Sequence, residues 1–174
     1  MPAIRAWAAV DDRASNWPVV YALEGGSEVY VGETLKMVAR ARQHLKSQER
    51  GHLHRAHVVV DDSFHKSACL DLESFLIRLF SGDAARTVLN RNVGIVDANY
   101  YQRAEYQERF DAVFEELRSR GYFERSIPEI ENSDLFKLSP YKALNTEQGI
   151  AVLDIMEGLA ADLAPHGIQV NTLA

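Results

Sequence analysis

The stretch Val19–His44, VVYALEGGSEVYVGETLKMVARARQH, decides the fold. Val19–Leu23 is a run of β-branched, aromatic and other apolar residues, Val29–Val31 is a second, and Gly25-Gly26 between them is a turn signal. Together they predict an antiparallel hairpin. Gly32 ends the second strand, and Thr34 is a candidate N-cap for a helix with apolar positions at Leu35, Val38, Ala39, Ala41 and Leu45. Arg40 and His44 are four residues apart and therefore share one face of that helix. Two tyrosines, Tyr21 and Tyr30, stand on the strands that precede it.

Outward from this core, strand and helix patterns continue to mix. Gln48–Gly51 closes the helix, and His57–Val60 is predicted as a third strand ending at Asp61-Asp62. Ser67–Phe80 predicts a second helix, with Leu70, Leu72, Phe75, Leu76 and Leu79 in a broad apolar stripe and Glu73 at its edge. Ser81-Gly82-Asp83 breaks it, and the Asn/Gly-rich segment 89–94, with Asn90 and Asn92, is a loop suited to unusual backbone conformations. A long polar helix is predicted over 100–120, with Tyr101, Phe110, Val113, Phe114 and Leu117 as its apolar positions and Gly121 as its stop. Residues 1–17 lack a clear period and are expected to form an arm with at most one short strand.

Pro128, Ser133, Ser139 and Pro140 punctuate a linker, and a last helical pattern covers Thr146–Leu163. The expected class is α/β (α+β): a small antiparallel three-stranded sheet flanked by helices, with a C-terminal helical extension. The expected organisation is an arm (1–17), a first domain (18–99), the helical extension (100–127), and a linker leading into a further domain (128–174).

A 47% hydrophobic content over 174 residues is enough for a buried core. The formal net charge of −6 gives no overall attraction for nucleic acid, so phosphate contacts need a local patch. Such a patch exists, because Lys36, Arg40, Arg42, Lys46, Arg50 and Arg55 concentrate positive charge in one segment. Cys69 is the only cysteine, which excludes an internal disulfide and a multi-cysteine metal site and fits a reducing compartment. No apolar run approaches the ~20 residues that span a bilayer, and the N-terminus has no secretory pattern; a cytoplasmic protein without membrane partners is expected. His52, His54, His57 and His65 invite a zinc reading, but no cysteine or carboxylate pattern completes a ligand set.

Residues 19–92 resemble a GIY-YIG nuclease domain. The resemblance rests on Val19-Val20-Tyr21-Ala22, then Tyr30-Val31-Gly32 and Thr34, an Arg ten residues after the second tyrosine (Arg40), and a His four later (His44). Glu73 on the next helix and Asn90 in the loop beyond complete it. The first triplet reads Val-Val-Tyr, losing the glycine and keeping the tyrosine, and Asn92 competes with Asn90 for the last role. The family implies phosphodiester hydrolysis by metal-activated water. Glu73 would bind one Mg²⁺ or Mn²⁺, which suit a lone carboxylate completed by waters and phosphate oxygens. Arg40 would neutralise the scissile phosphate through its planar donor fork.

Tyr21 would act as general base, with Tyr30 and His44 orienting water and phosphate. Exchange of roles between the two tyrosines stays open, since a free phenol ionises near pH ~10 and needs a nearby cation to serve as base. Asn90 would orient a group at the metal or brace the loop beside it, and Lys36, Arg42 and Lys46 would contact the nucleic-acid backbone. DNA is the expected partner, and RNA, with the same phosphates, is the second candidate. Singly, each residue has a plainer reading: strand aromatics, a solvated helix face, a boundary carboxylate paired with Arg78, a turn asparagine. Their joint spacing points to a nuclease.

Asn132-Ser133-Asp134-Leu135-Phe136 and the segment Ser139–Gln148 resemble the connection between an N-terminal GIY-YIG domain and the motor in bacterial Schlafen-related, helicase-like ATPases. No G-x-x-x-x-G-K-[ST] occurs here, so this reading puts an ATPase domain in cis outside the chain. A rival likeness of Ala161–Asn171 to short-chain dehydrogenases lacks both G-x-G-x-x-G and Tyr-x-x-x-Lys. The expectation is a metal-dependent DNA endonuclease in restriction, repair or defence. The alternative is a catalytically dormant nucleic-acid-binding module that targets the ATPase.

Overall fold

The computed structural model describes residues 2–94 and 99–138. Strand β1 (Val19–Gly25) and strand β2 (Glu28–Thr34) form the predicted hairpin, in a register running from Val19 opposite Thr34 to Gly25 opposite Glu28. Gly26 takes the left-handed conformation the turn requires, at φ +62°. Strand β3 (Arg55–Val59) pairs antiparallel with the other side of β1.

The three-stranded antiparallel sheet expected from the sequence is corrected by a fourth strand. β4 (Thr87–Val88) runs parallel to β2, making a mixed sheet of order β3-β1-β2-β4. Two residues are too few to show a period of their own. The strand exists because Thr87 N–H donates to the Ser27 carbonyl and Leu89 N–H to that of Val29, each at 2.8 Å.

All seven residues of β1 are buried, because helices cover both faces of the sheet. On one face Val20, Ala22, Val29 and Val31 pack with Leu72 and Leu76 of α4 (Lys66–Asp83) and with Phe110, Phe114 and Leu117 of α5 (Arg103–Ser119). On the other, Val19, Tyr21 and Leu23 meet Leu53 and, from α3 (Met37–Leu45), Met37 and Ala41. Alternation along β1 thus sends its odd-numbered residues to α3 and its even-numbered ones to α4.

Several local expectations change. The arm is two short helices, α1 (Pro2–Ala8) and α2 (Arg13–Asn16), rather than a strand. Asp11 joins them, accepting from Trp7 Nε1 and from the Arg13 backbone N–H, both at 2.9 Å. Thr34 ends β2 instead of capping α3: its hydroxyl accepts from Lys36 N–H at 3.0 Å, and Lys36 itself holds the N-cap position. Leu35 and Leu45, read as inward positions, are exposed. So is Tyr101, because α5 begins two residues later and buries Tyr106 instead.

In the stretch expected as a linker, α6 (Ile127–Glu131) opens with a Ser126/Glu129 capping box, and α7 (Asp134–Leu138) follows. Buried Asp83 ties this segment to α4, accepting from the N–H groups of Glu124 and Arg125 at 3.1 and 3.0 Å. The helix predicted over 146–163 and the start of an ATPase domain lie outside the described residues. No described helix is long and apolar enough to cross a membrane.

Candidate functional site

Tyr21 stands directly across the hairpin from Gly32, and Leu23 across from Tyr30. The two tyrosines are therefore diagonal neighbours on one face, with ring centroids 6.3 Å apart. Gly32 gives the Tyr21 ring its space, since a Cβ there would lie 2.6 Å from Tyr21 Cζ and closer still to the hydroxyl. Helix α3 brings His44 to the same place. Its Nε2 is hydrogen-bonded to the Tyr21 hydroxyl at 2.9 Å, and its ring lies 5.3 Å from that of Tyr30. Tyr21 is 1% exposed and His44 3%, whereas Tyr30 is half-buried, and no described residue hydrogen-bonds its hydroxyl.

Burial pushes the Tyr21 phenol above its ordinary range, with Tyr30 and Glu73 adding to the shift and Arg40 and Arg50 opposing it. Burial also pushes His44 down to about 4, reinforced by Arg50 and Arg40, so the imidazole is neutral at pH 7. An unfolded histidine titrates near pH ~6.5. Stability from holding His44 neutral is therefore complete above that value and is lost as pH falls from there through 4. In denaturant titrations over this interval, wild type is expected to lose more unfolding free energy than His44→Gln. Equal losses would show that the fold does not hold His44 neutral.

From the opposite face of the sheet, α4 contributes Glu73. Its carboxyl is pushed up to about 7, by burial first and then by the Glu33 carboxylate, against the pull of Lys66, the Glu33 backbone N–H and Arg40. Glu33 is ion-paired with Lys66, and its other carboxylate oxygen is buried without a hydrogen-bond partner among the described residues. The loop after β4 closes over this point, with Gly94 placed so that a Cβ would be 3.9 Å from Glu73 Oε2.

Arg40 of α3 favours the ionised forms of Tyr21 and Glu73 and disfavours that of His44, and its guanidinium donates to Gln43 Oε1 at 3.1 Å. With Glu33, Lys36, Gln43 and Lys66 it lines an open cavity of about 350 Å³. Lys36, Arg42 and Lys46 are exposed on and beside α3.

Asn90 braces a strand. Its Oδ1 accepts from Val31 N–H at 2.9 Å and its Nδ2 donates to the Val31 carbonyl at 2.8 Å, so the side chain continues the β4 ladder and fixes β2 between Tyr30 and Gly32. Asn92 is exposed, its Oδ1 accepting from Gly94 N–H at 3.3 Å.

A half-buried carboxylate whose charge is disfavoured is a strong donor for a hard cation. Glu73 offers one such group and leaves the remaining coordination positions to water and phosphate, which fits Mg²⁺ or Mn²⁺. Among the described residues no three His, Cys, Asp or Glu side chains cluster around a common point. The four histidines have separate partners: His52 bonds Glu28, His54 the His52 carbonyl, His57 Tyr122, and His65 Ala68 N–H.

The sequence motif includes Gly32 without giving it a role, omits Glu33 and Lys66, and leaves Arg50 as one member of a basic run. The position of Gly32 was within reach, because counting outward from the Gly26-Ser27 turn sets it opposite Tyr21. Lys66 had no such signal. It meets Glu33 only after α4 has folded across the sheet. No protein-family model matches the chain, and neither a curated protein nor a solved structure matches it.

Proposed function

We propose that this protein is a metal-dependent nuclease that hydrolyses phosphodiester bonds in DNA, as part of a larger helicase-like ATPase in restriction, repair or defence. The observation that carries the reading is the meeting of Tyr21, Tyr30 and His44 on one face of the hairpin, with the Arg40 charge acting on Tyr21 and His44 and on the half-buried Glu73 carboxyl of the other face. Hydrolysis needs a base for water, positive charge on the phosphorane oxygens, and help for the departing alkoxide. Arg40 supplies a planar donor fork for the phosphate beside a cavity lined by two further cations, Lys36 and Lys66. Glu73 would hold the Mg²⁺ or Mn²⁺, which when bound polarises the phosphoryl oxygens and stabilises the leaving oxygen.

Burial supports Tyr30 over Tyr21 as the base. Tyr21 is enclosed by Gly32 and His44, so it serves to position helix α3, and with it Arg40, against the sheet. Tyr30 keeps an accessible ring, a hydroxyl without a described partner, and the Arg50 guanidinium over its face, which makes it the group that meets the attacking water. The base first placed at Tyr21 is thus assigned to Tyr30, the exchange that the sequence leaves open.

Plasmid nicking in Mg²⁺ tests this. Tyr30→Phe and Arg40→Ala are each expected to lower the rate by about 10²-fold or more, and Tyr21→Phe by less. Equal residual cleavage in wild type, Tyr30→Phe and Arg40→Ala would mean that the nuclease reading is wrong.

A further inference from the structure

Arg50 lies in the turn after α3, outside the spaced motif. Its backbone is fixed, because Gly51 N–H donates to the Ser47 carbonyl at 2.9 Å and Leu53 N–H to that of Arg50 at 3.0 Å, with Leu53 buried in the core. Its guanidinium carbon sits 4.2 Å from the centroid of the Tyr30 ring. No described residue hydrogen-bonds or ion-pairs with the half-buried Arg50 side chain; the adjacent carboxylate, Glu49, is engaged with Arg91 at 2.9 Å. A guanidinium seated over a ring with open donors is suited to an anion in the plane of its fork.

We propose that Arg50 is a second phosphate-binding arginine of this site, gripping the nucleic-acid backbone together with Arg40 while its guanidinium covers the Tyr30 ring. The inference rests on the nuclease reading and extends it. One further observation agrees with it. Arg50 and Arg40 both favour the ionised form of Tyr21 and both disfavour the charged form of His44.

The test measures binding of a short DNA duplex across a salt series, in a Glu73→Gln background that blocks cleavage. Arg50→Ala is expected to weaken binding about tenfold and to reduce the slope of log affinity against log salt by about one. Arg50→Lys should restore the slope, because the charge returns. In the Glu73-intact protein it should not restore cleavage, because the planar fork and its seat over the ring are gone. A purely structural role would leave the salt slope unchanged in Arg50→Ala, and that result overturns the inference. If Arg40→Ala loses affinity and slope while Arg50→Ala keeps both, the nuclease reading stands and the role of Arg50 falls. If wild type neither binds with salt dependence nor cleaves, both fall together.

Discussion

Glu73→Gln is expected to lower Mg²⁺-dependent cleavage by about 10³-fold and at the same time to make the protein more stable at pH 8. Both effects come from one property. The Glu73 carboxyl titrates near 7 in the fold, whereas an unfolded glutamate titrates near ~4.3. The unfolded chain therefore releases this proton first, and stability declines as pH rises from about 4 to 7, with the loss complete above 7. Glutamine has the same shape and no charge to desolvate. The stability difference between variant and wild type, measured by denaturant titration, should grow from pH 5 to pH 8. A cation held by Glu73 would offset the same desolvation, so Mg²⁺ should raise the stability of wild type and not of the variant. Loss of cleavage without that differential response would place Glu73 elsewhere in the reaction.

Gly32→Ala is expected to destabilise the fold by about 3 kcal/mol, at the upper end of the range for overpacking a closed core. The added methyl would fall 2.6 Å from Tyr21 Cζ, and the ring has nowhere to go, being 1% exposed and bonded to His44. Either the hairpin opens at this pair or Tyr21 leaves His44. Tyr21→Phe offers a contrast, since it removes the hydroxyl nearest the added methyl. The double variant Gly32→Ala/Tyr21→Phe should recover part of the lost stability, as read from thermal unfolding of the four proteins of the cycle. Strict additivity of the two changes would show that the clash is not between these residues.

The hairpin, β3, α4 and α5 were legible because each is long enough for a period of two or 3.6 residues to appear and each has a turn or breaker at its ends. The arm was not, because α1 and α2 are organised by the Asp11 carboxylate rather than by an apolar stripe. β4 was not, because its two residues take their conformation from β2. The candidate site divides in the same way. Spacing along one helix put Arg40 and His44 on a common face, and the hairpin register puts Tyr21 and Tyr30 on a common side. Which phenol is covered depends on how α3 lies against β1, and the seat of Arg50 over Tyr30 depends on a turn fixed by Leu53 in the core. Such contacts arise between elements and leave no periodic trace in the chain.

The clasp of Asn90 on Val31 joins residues 59 positions apart. A two-stranded hairpin closes within about 1–10 μs, while a contact at that separation must wait for the intervening chain to collapse. During synthesis both tyrosines would leave the ribosome and pair early, but β2 would lack its brace until the chain had passed Asn90. On the proposed nuclease reading, a chain not yet extended to Glu73 would carry the phenols without the carboxylate of the other face, and would be inert toward the nucleic acid around which it is made.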